Sequence, residues 1–222
     1  VTTTAGIYSL SAKYGDVVTL TATKTGYTCS VAGSPITVGA ADVSTANVSC
    51  TANTYTVGGS NTDGASVAIS GSSITGQVAT TSSPYSFNAK YGDVVTLTAT
   101  KTGYTCSVAG SPMTVFAANV STANVSCTAN TYTISGSTDG ATVTAAGSTV
   151  SNTVTTTAGI YSLSAKYGDV VNLTATKKGF TACVVGQSTY DVIGDVEHAN
   201  VLCSNTVFSV KGNVSGLVSG RI

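Results

Sequence analysis

The sequence predicts an all-β protein: tandem small antiparallel β-sandwich repeats of about 76 residues, each closed by one disulfide. Three observations predict it. One stretch of text recurs three times, from Ala12 to Cys50, from Ala89 to Cys127 and, more loosely, from Ala165 to Cys203. Within each copy apolar and polar residues alternate. Val95, Leu97 and Ala99 interleave with Thr96, Thr98 and Thr100, which places the two sets on opposite faces of a strand, one for a core and one for solvent. Finally, each copy holds one cysteine pair, Cys29/Cys50, Cys106/Cys127 and Cys183/Cys203, separated by 21, 21 and 20 residues.

Composition bounds the rest. Hydrophobic residues reach 42% of the 222 residues and lie in alternating runs, so the chain folds despite its wealth of Ser, Thr, Gly and Asn. Charged residues are only 8% and cancel to zero net charge, which leaves no basic face for phosphate and argues against a nucleic-acid partner. No apolar run is long enough to span a bilayer. Without an initiating methionine or signal peptide, the chain reads as a mature or trimmed piece of an exported protein. Paired cysteines with none left over predict three local disulfides in an oxidising, extracellular or cell-surface setting. Zinc would want four ligands, and the single histidine, His198, is absent from the other copies. A small repeat buries a modest core, so a disulfide closing about 20 residues, worth roughly 3 kcal/mol by the chain-entropy estimate, is a substantial support.

In chain order, residues 1–53 enter the repeat part-way, at Val1-Thr2-Thr3-Thr4, and lack its first strands. Residues 54–130 and 131–205 are complete copies, and 206–222 begin a further one, Thr206-Val207-Phe208-Ser209-Val210-Lys211-Gly212 lining up with Thr131 to Gly136 if one residue is inserted. The third copy shows the strand signals best. Tyr132–Ile134 alternates, Asp139-Gly140 turns, and Ala141–Ala145 alternates again. Thr149–Thr155 follows with Val150 and Val154 on one face, then an Ala158-Gly159 turn, Ile160–Ala165, a Gly168-Asp169 turn and Val170–Thr176. Thr181–Val185 and Ala199–Ser204 close the copy, joined by a variable loop around Tyr190. Cys127 is in phase with Val125, which puts the bridge on the core side.

Two motifs carry a resemblance. Tyr-Gly-Asp-Val-Val-Thr-Leu-Thr-Ala-Thr-Lys-Thr-Gly-Tyr, at 14–27 and 91–104, resembles the core of repeats in giant bacterial surface proteins, including divergent internalin-type B repeats. Tyr-Thr-Cys-Ser-Val-Ala-Gly-Ser at 104–111 with Ala-Asn-Val-Ser-Cys-Thr at 123–128 is similar to Cys-containing Ig-like repeats of long secreted bacterial proteins, as is Val214-Ser215-Gly216-Leu217 after Phe208. The resemblance spans nearly the whole chain and implies stalks, adhesins and filaments rather than an activity. Cysteine replaces the aromatic that follows Gly-Tyr in the B-repeat pattern, which leaves an Ig-like sandwich and a smaller grasp-like sheet both open.

Each candidate for chemistry has a plainer reading beside it. His198 with Glu197 and Asp195 suggests a base or metal ligand, against a solvated loop. Asp16, Asp93 and Asp169, with Asp63 and Asp139, suggest calcium, but each repeat offers too few converging oxygens, and turn formation is the reading adopted. Lys13, Lys90 and Lys166 with Asn47, Asn124 and Asn200 suggest isopeptide bonds, which need a buried acid beside the pair; exposed lysines and strand or turn asparagines suffice. Tyr8, Tyr85 and Tyr161, then Tyr14, Tyr91 and Tyr167, suggest an aromatic stripe for sugars, against core tyrosines with the hydroxyl satisfied at the edge. The sequons at Asn47, Asn119, Asn124, Asn172 and Asn213 are expected by chance in such a composition.

The expectation is therefore mechanical: a non-enzymatic segment of an extracellular bacterial fibre, pilus or adhesin stalk, with no cofactor and no metal, its partners being itself or neighbouring repeats. Phe208, Val210, Val214 and Leu217 are the expected assembly strand, which completes the sheet left open at residues 1–53 by donor-strand addition. The alternative is a module of a secreted protein that binds a host or surface glycan, with Gly186–His198, the one divergent stretch, as its loop.

Overall fold

The computed structural model describes residues 6–75, 79–155, 159–205, 207, 209–213 and 215, with the backbone alone for 151–155. The fold is all-β, and the described residues contain no helix. Strands β1 (Val17–Val18), β2 (Tyr27–Val31), β3 (Ile36–Thr37) and β4 (Val48–Ala52) come from the head of the chain. Next come β5 (Thr54–Gly59), β6 (Ser66–Gly71), β7 (Tyr85–Lys90), β8 (Val94–Thr100), β9 (Tyr104–Val108), β10 (Met113–Thr114) and β11 (Val125–Ala129). The last group is β12 (Thr131–Ser137), β13 (Thr142–Ala146), β14 (Ser151–Thr155), β15 (Ile160–Lys166), β16 (Val170–Thr176), β17 (Phe180–Val185), β18 (Thr189–Asp191) and β19 (Val201–Asn205).

These strands form small antiparallel sheets, and the chain divides into two compact units, one of residues 1–101 and 106–127, the other of 102–105 and 128–222. In the first unit β5 pairs with β7, and β8 lies between β6 and β10. Alternation decides the faces: Phe87 and Ala89 from β7, Val67 and Ile69 from β6, and Val95 and Leu97 from β8 enter one core with Val57 and Val115, while Thr96 and Thr98 stay exposed. The second unit repeats this with β12 on β15 and the order β14-β13-β16-β18; its core gathers Ile134, Val143, Val150, Leu163, Val171 and Leu173.

Each cysteine pair is bonded, and its two members face each other in a two-stranded ribbon: Cys29 opposite Cys50 in β2–β4, Cys106 bonded to Cys127 in β9–β11, and Cys183 opposite Cys203 in β17–β19. Cys106 and Cys127 pack against the core of their unit, as do Cys183 and Cys203 against theirs. In the third ribbon a bulge between Phe180 and Ala182 absorbs the extra residue that separates the aromatic from its cysteine.

The sequence reading places a loop around Tyr190, whereas Thr189–Asp191 is a strand, β18, paired with β16. Three residues are too short to display a period, and pairing with a neighbour supplies what propensity does not. Of the expected assembly strand, Phe208, Val214 and Leu217 lie outside the described residues, as do Val1 to Thr4, Thr206 and Ala158. Val210 is described, and it is fully exposed and in no strand.

Candidate assembly surface

The head of the first unit is an open apolar face. Tyr8–Lys13 corresponds to β7 and to β15, which pair along their lengths with β5 and β12. Among the described residues no strand precedes Tyr8 to do the same for it, and Tyr8–Lys13 is not a strand. Burial follows: Leu10 is 40% exposed, whereas its counterparts Phe87 and Leu163 are each 5% exposed. Ala12 is exposed where Ala89 and Ala165 are buried, and Val18 and Leu20 are half-buried where Val95 and Leu97 are interior. Val43 is also open, whereas its counterpart Val120 bridges in parallel to Val57 of β5. Apolar surface left in water in this way forgoes the burial that β5 and β12 provide for the matching residues.

What β5 and β12 contribute to the other two copies is visible in their hydrogen bonds. Asn119 and Asn124 each accept a backbone N–H through the side-chain oxygen, from Thr56 and Ser60 at 2.9 Å, and so tie the loop before β11 to β5. Asp195 and Asn200 do the same for Thr133 and Ser137 of β12, at 2.8 and 2.9 Å. These side chains are therefore spoken for: Asn124 and Asn200, the isopeptide candidates, accept backbone N–H groups. Asp195, named with Glu197 beside His198, serves as a loop tie. His198 itself sits at a positive φ of 66°, a conformation that histidine adopts more readily than most residues, and its carbonyl accepts the Asn200 N–H at 2.7 Å. Among the described residues no three His, Cys, Asp or Glu side chains gather as a metal site.

The glycine-preceded aspartates are structural anchors. Asp93 is buried and accepts hydroxyls from Ser72, at 3.2 Å, and Ser73, and the N–H of Lys90 at 3.0 Å. Burial works to raise its pKa, but the donors from Ser73, Lys90 and Ser72 prevail and hold it below the ordinary carboxylate range. The hydroxyls of Ser148 and Thr149 pull Asp169 down in the same way, against the opposing effect of burial. In the head, Asp16 is exposed and accepts the Lys13 N–H at 2.8 Å.

The two tyrosine sets separate. Tyr85 and Tyr161 are core residues whose hydroxyls donate to the carbonyls of Ala123 and Ala199, the latter at 2.6 Å; Tyr8 donates likewise to Ala46. Burial, with Tyr190 nearby, pushes the Tyr161 pKa up to about 12, and burial raises that of Tyr85. The second set is not core. Tyr91 lies on Gly26 and meets Tyr27 edge-on, with ring centres 5.6 Å apart, and Tyr167 lies on Gly103 and meets Tyr104 at 5.8 Å. Gly26 and Gly103 hold φ at +78° and +75°, and a Cβ on either would run into the tyrosine ring, so glycine is required on both counts. Tyr14, the head's member of this set, is 81% exposed. The signal for this seat was present, since Gly-Tyr and Tyr-Gly-Asp recur in step, but a repeat spacing alone does not say that the glycine of one copy meets the tyrosine of the next.

The Gly186–His198 stretch, the glycan alternative's loop, is largely spent on structure: it supplies β18, buried Val192 and the Asp195 tie. Family models, curated proteins and solved structures offer no match to this chain.

Proposed function

We propose that the chain is a structural segment of an extracellular bacterial fibre, pilus or adhesin stalk, a row of Ig-like sandwiches of about 76 residues whose copies join head to tail by strand addition. The observation that carries this reading is the open face at Tyr8–Leu20, which has the sequence of an interior but the exposure of a surface. In the complete copies β5 and β12 cover the matching face, and the segment opening at Thr206, with Phe208, Val210, Val214 and Leu217, is text of the same kind. Three disulfides fit an extracellular setting. Net charge is zero with only 8% charged residues, and the exposed faces of β8 and β16 carry Thr96, Thr98, Thr174 and Thr176, a hydrated surface suited to a spacer. Load is then borne by ladder hydrogen bonds and by the bridged ribbons.

Electron microscopy of the purified chain across a concentration series, beside a variant lacking residues 206–222, tests this. Filaments from the intact chain and isolated particles from the truncated one are expected. Fibres that assemble equally well without these residues overturn strand addition.

A further inference from the structure

Among the described residues one kind of seat is twice filled and once empty, and one matching ring has no seat. In the two filled cases a Gly-Tyr hairpin tip receives the tyrosine that follows the next copy's outer strand. Gly26 is buried beneath Tyr91, and Gly103 is half-buried beneath Tyr167. The backbone locks the arrangement: Asn53 donates to the Gly26 carbonyl at 2.8 Å and accepts the Tyr91 N–H at 2.9 Å. Asn130 makes the same pair with Gly103 and Tyr167, at 2.9 and 2.8 Å. Side chains echo it, Thr28 donating to Asn53 at 2.6 Å and Thr105 to Asn130 at 2.8 Å.

The third tip is built alike and, among the described residues, is bare. Gly179 has φ +86°, is exposed and has nothing within 4 Å of where a Cβ would stand. Phe180 follows it in the place of Tyr27 and Tyr104, under the Lys177 ammonium at 4.3 Å, much as Lys24 lies over Tyr27 at 3.7 Å. Asn205, opposite Phe180 in register, is exposed where Asn53 and Asn130 are half-buried. At the far end of the sequence Tyr14 is the matching ring, exposed and preceded by Tyr8–Lys13, which is in no strand.

We infer that the partner of the Gly179–Phe180 tip is Tyr14 of a second copy of this chain. The contact rests on the head-to-tail reading above and gives it an orientation: the ring of Tyr14 lies on the Gly179 backbone edge-on to Phe180, and the Asn205 carbonyl accepts the Tyr14 N–H. An added strand alone fixes affinity but can slip along an edge by two residues without exposing its apolar side. A tyrosine that fits only over a Cβ-less residue admits one register, so the seat is the register stop of the joint.

Sedimentation velocity of the intact chain and of two variants tests this. Tyr14→Ala removes a ring that is 81% exposed, so the fold is expected to be retained. Gly179→Asn keeps a residue that tolerates positive φ while placing a Cβ in the seat. Each is expected to weaken self-association by about tenfold or more, the usual consequence of losing an aromatic anchor. A photo-crosslinking phenylalanine at position 14 should join Gly179–Phe180 of another copy, read by peptide mass spectrometry. If the intact chain associates and loses association on removal of 206–222, yet both variants associate like the parent, strand addition stands and the seat falls. If the variants dissociate while the truncated chain still associates, the seat stands and strand addition falls. An intact chain that stays monomeric, or an adduct mapped away from Gly179–Phe180, overturns the inference.

Discussion

Ala12–Val38 and Ala89–Val115 are the same text with one substitution, Ile36 against Met113, yet they fold differently. In the second copy the run Val94–Thr100 is a seven-residue strand between β6 and β10; in the head only Val17–Val18 of the matching run is a strand. Leu97 is interior and Leu20 half-buried, and Asp93 is enclosed by two hydroxyls while Asp16 is not. Since the residues are the same, their intrinsic preference cannot account for the difference. What differs is the neighbour: β5, β6 and the Ser72-Ser73 turn precede the second copy, and nothing described precedes the head. Strand formation here is a property of pairing, with propensity only permitting it.

Hydrogen exchange gives the largest expected contrast. The backbone amides of Val94–Thr100 should exchange at least about a thousandfold more slowly than those of Val17–Thr23, because the former open only with their unit. Adding a peptide of the sequence Thr54–Gly71 to the full chain should slow the head's amides; unchanged exchange would break the explanation by neighbours. Next in size, Asp93→Ala should cost about 2–4 kcal/mol in urea unfolding of its unit, since it strips a buried acceptor from three donors, whereas Asp16→Ala should cost under about 0.5 kcal/mol. Tyr161→Phe, which orphans the Ala199 carbonyl in the core, should cost about 1–1.5 kcal/mol, and Tyr8→Phe markedly less.

The smallest effect is in pH. Asp93 and Asp169 titrate below the unfolded carboxylate value in the fold, so their stabilisation is complete above that value, about pH 4, and is lost as pH falls through the folded pKa. Tyr161 is the opposite case: its contribution is complete below the unfolded phenol value near 10 and is lost as pH rises towards about 12. Thermal unfolding should therefore fall off at both extremes, and Tyr161→Phe should flatten the alkaline limb alone.

Much of this architecture was legible because alternation and repetition are local signals. Val95, Leu97 and Thr96 declare their faces without reference to anything distant, and cysteine pairs at near-constant separation declare their own bonds. Tyr190 was read as loop because β18 exists through its pairing with β16, and a three-residue strand carries no period. The Tyr14, Tyr91 and Tyr167 set was assigned to a core because a recurring aromatic looks alike whether it is buried under its own sheet or seated on a neighbour's glycine. Asp195 beside His198 was read as part of a solvated charged loop rather than as chemistry, and what that reading missed is the backbone tie to Thr133, which its counterpart Asn119 makes to Thr56. Each of these misreadings concerns a contact between segments far apart in sequence, which no window of residues reports.

The bridged ribbons have one more consequence, for a chain pulled from its ends. Cys29 and Cys50 are joined across 21 residues, so those residues stay out of the extensible length even after every ladder hydrogen bond around them has broken. At about 3.3–3.6 Å per extended residue, each such bridge withholds roughly 70 Å of contour, and Cys106–Cys127 and Cys183–Cys203 do the same. Reduction of the three bridges would return those residues to the extensible length, so a chain pulled from its ends would reach further once its disulfides are opened.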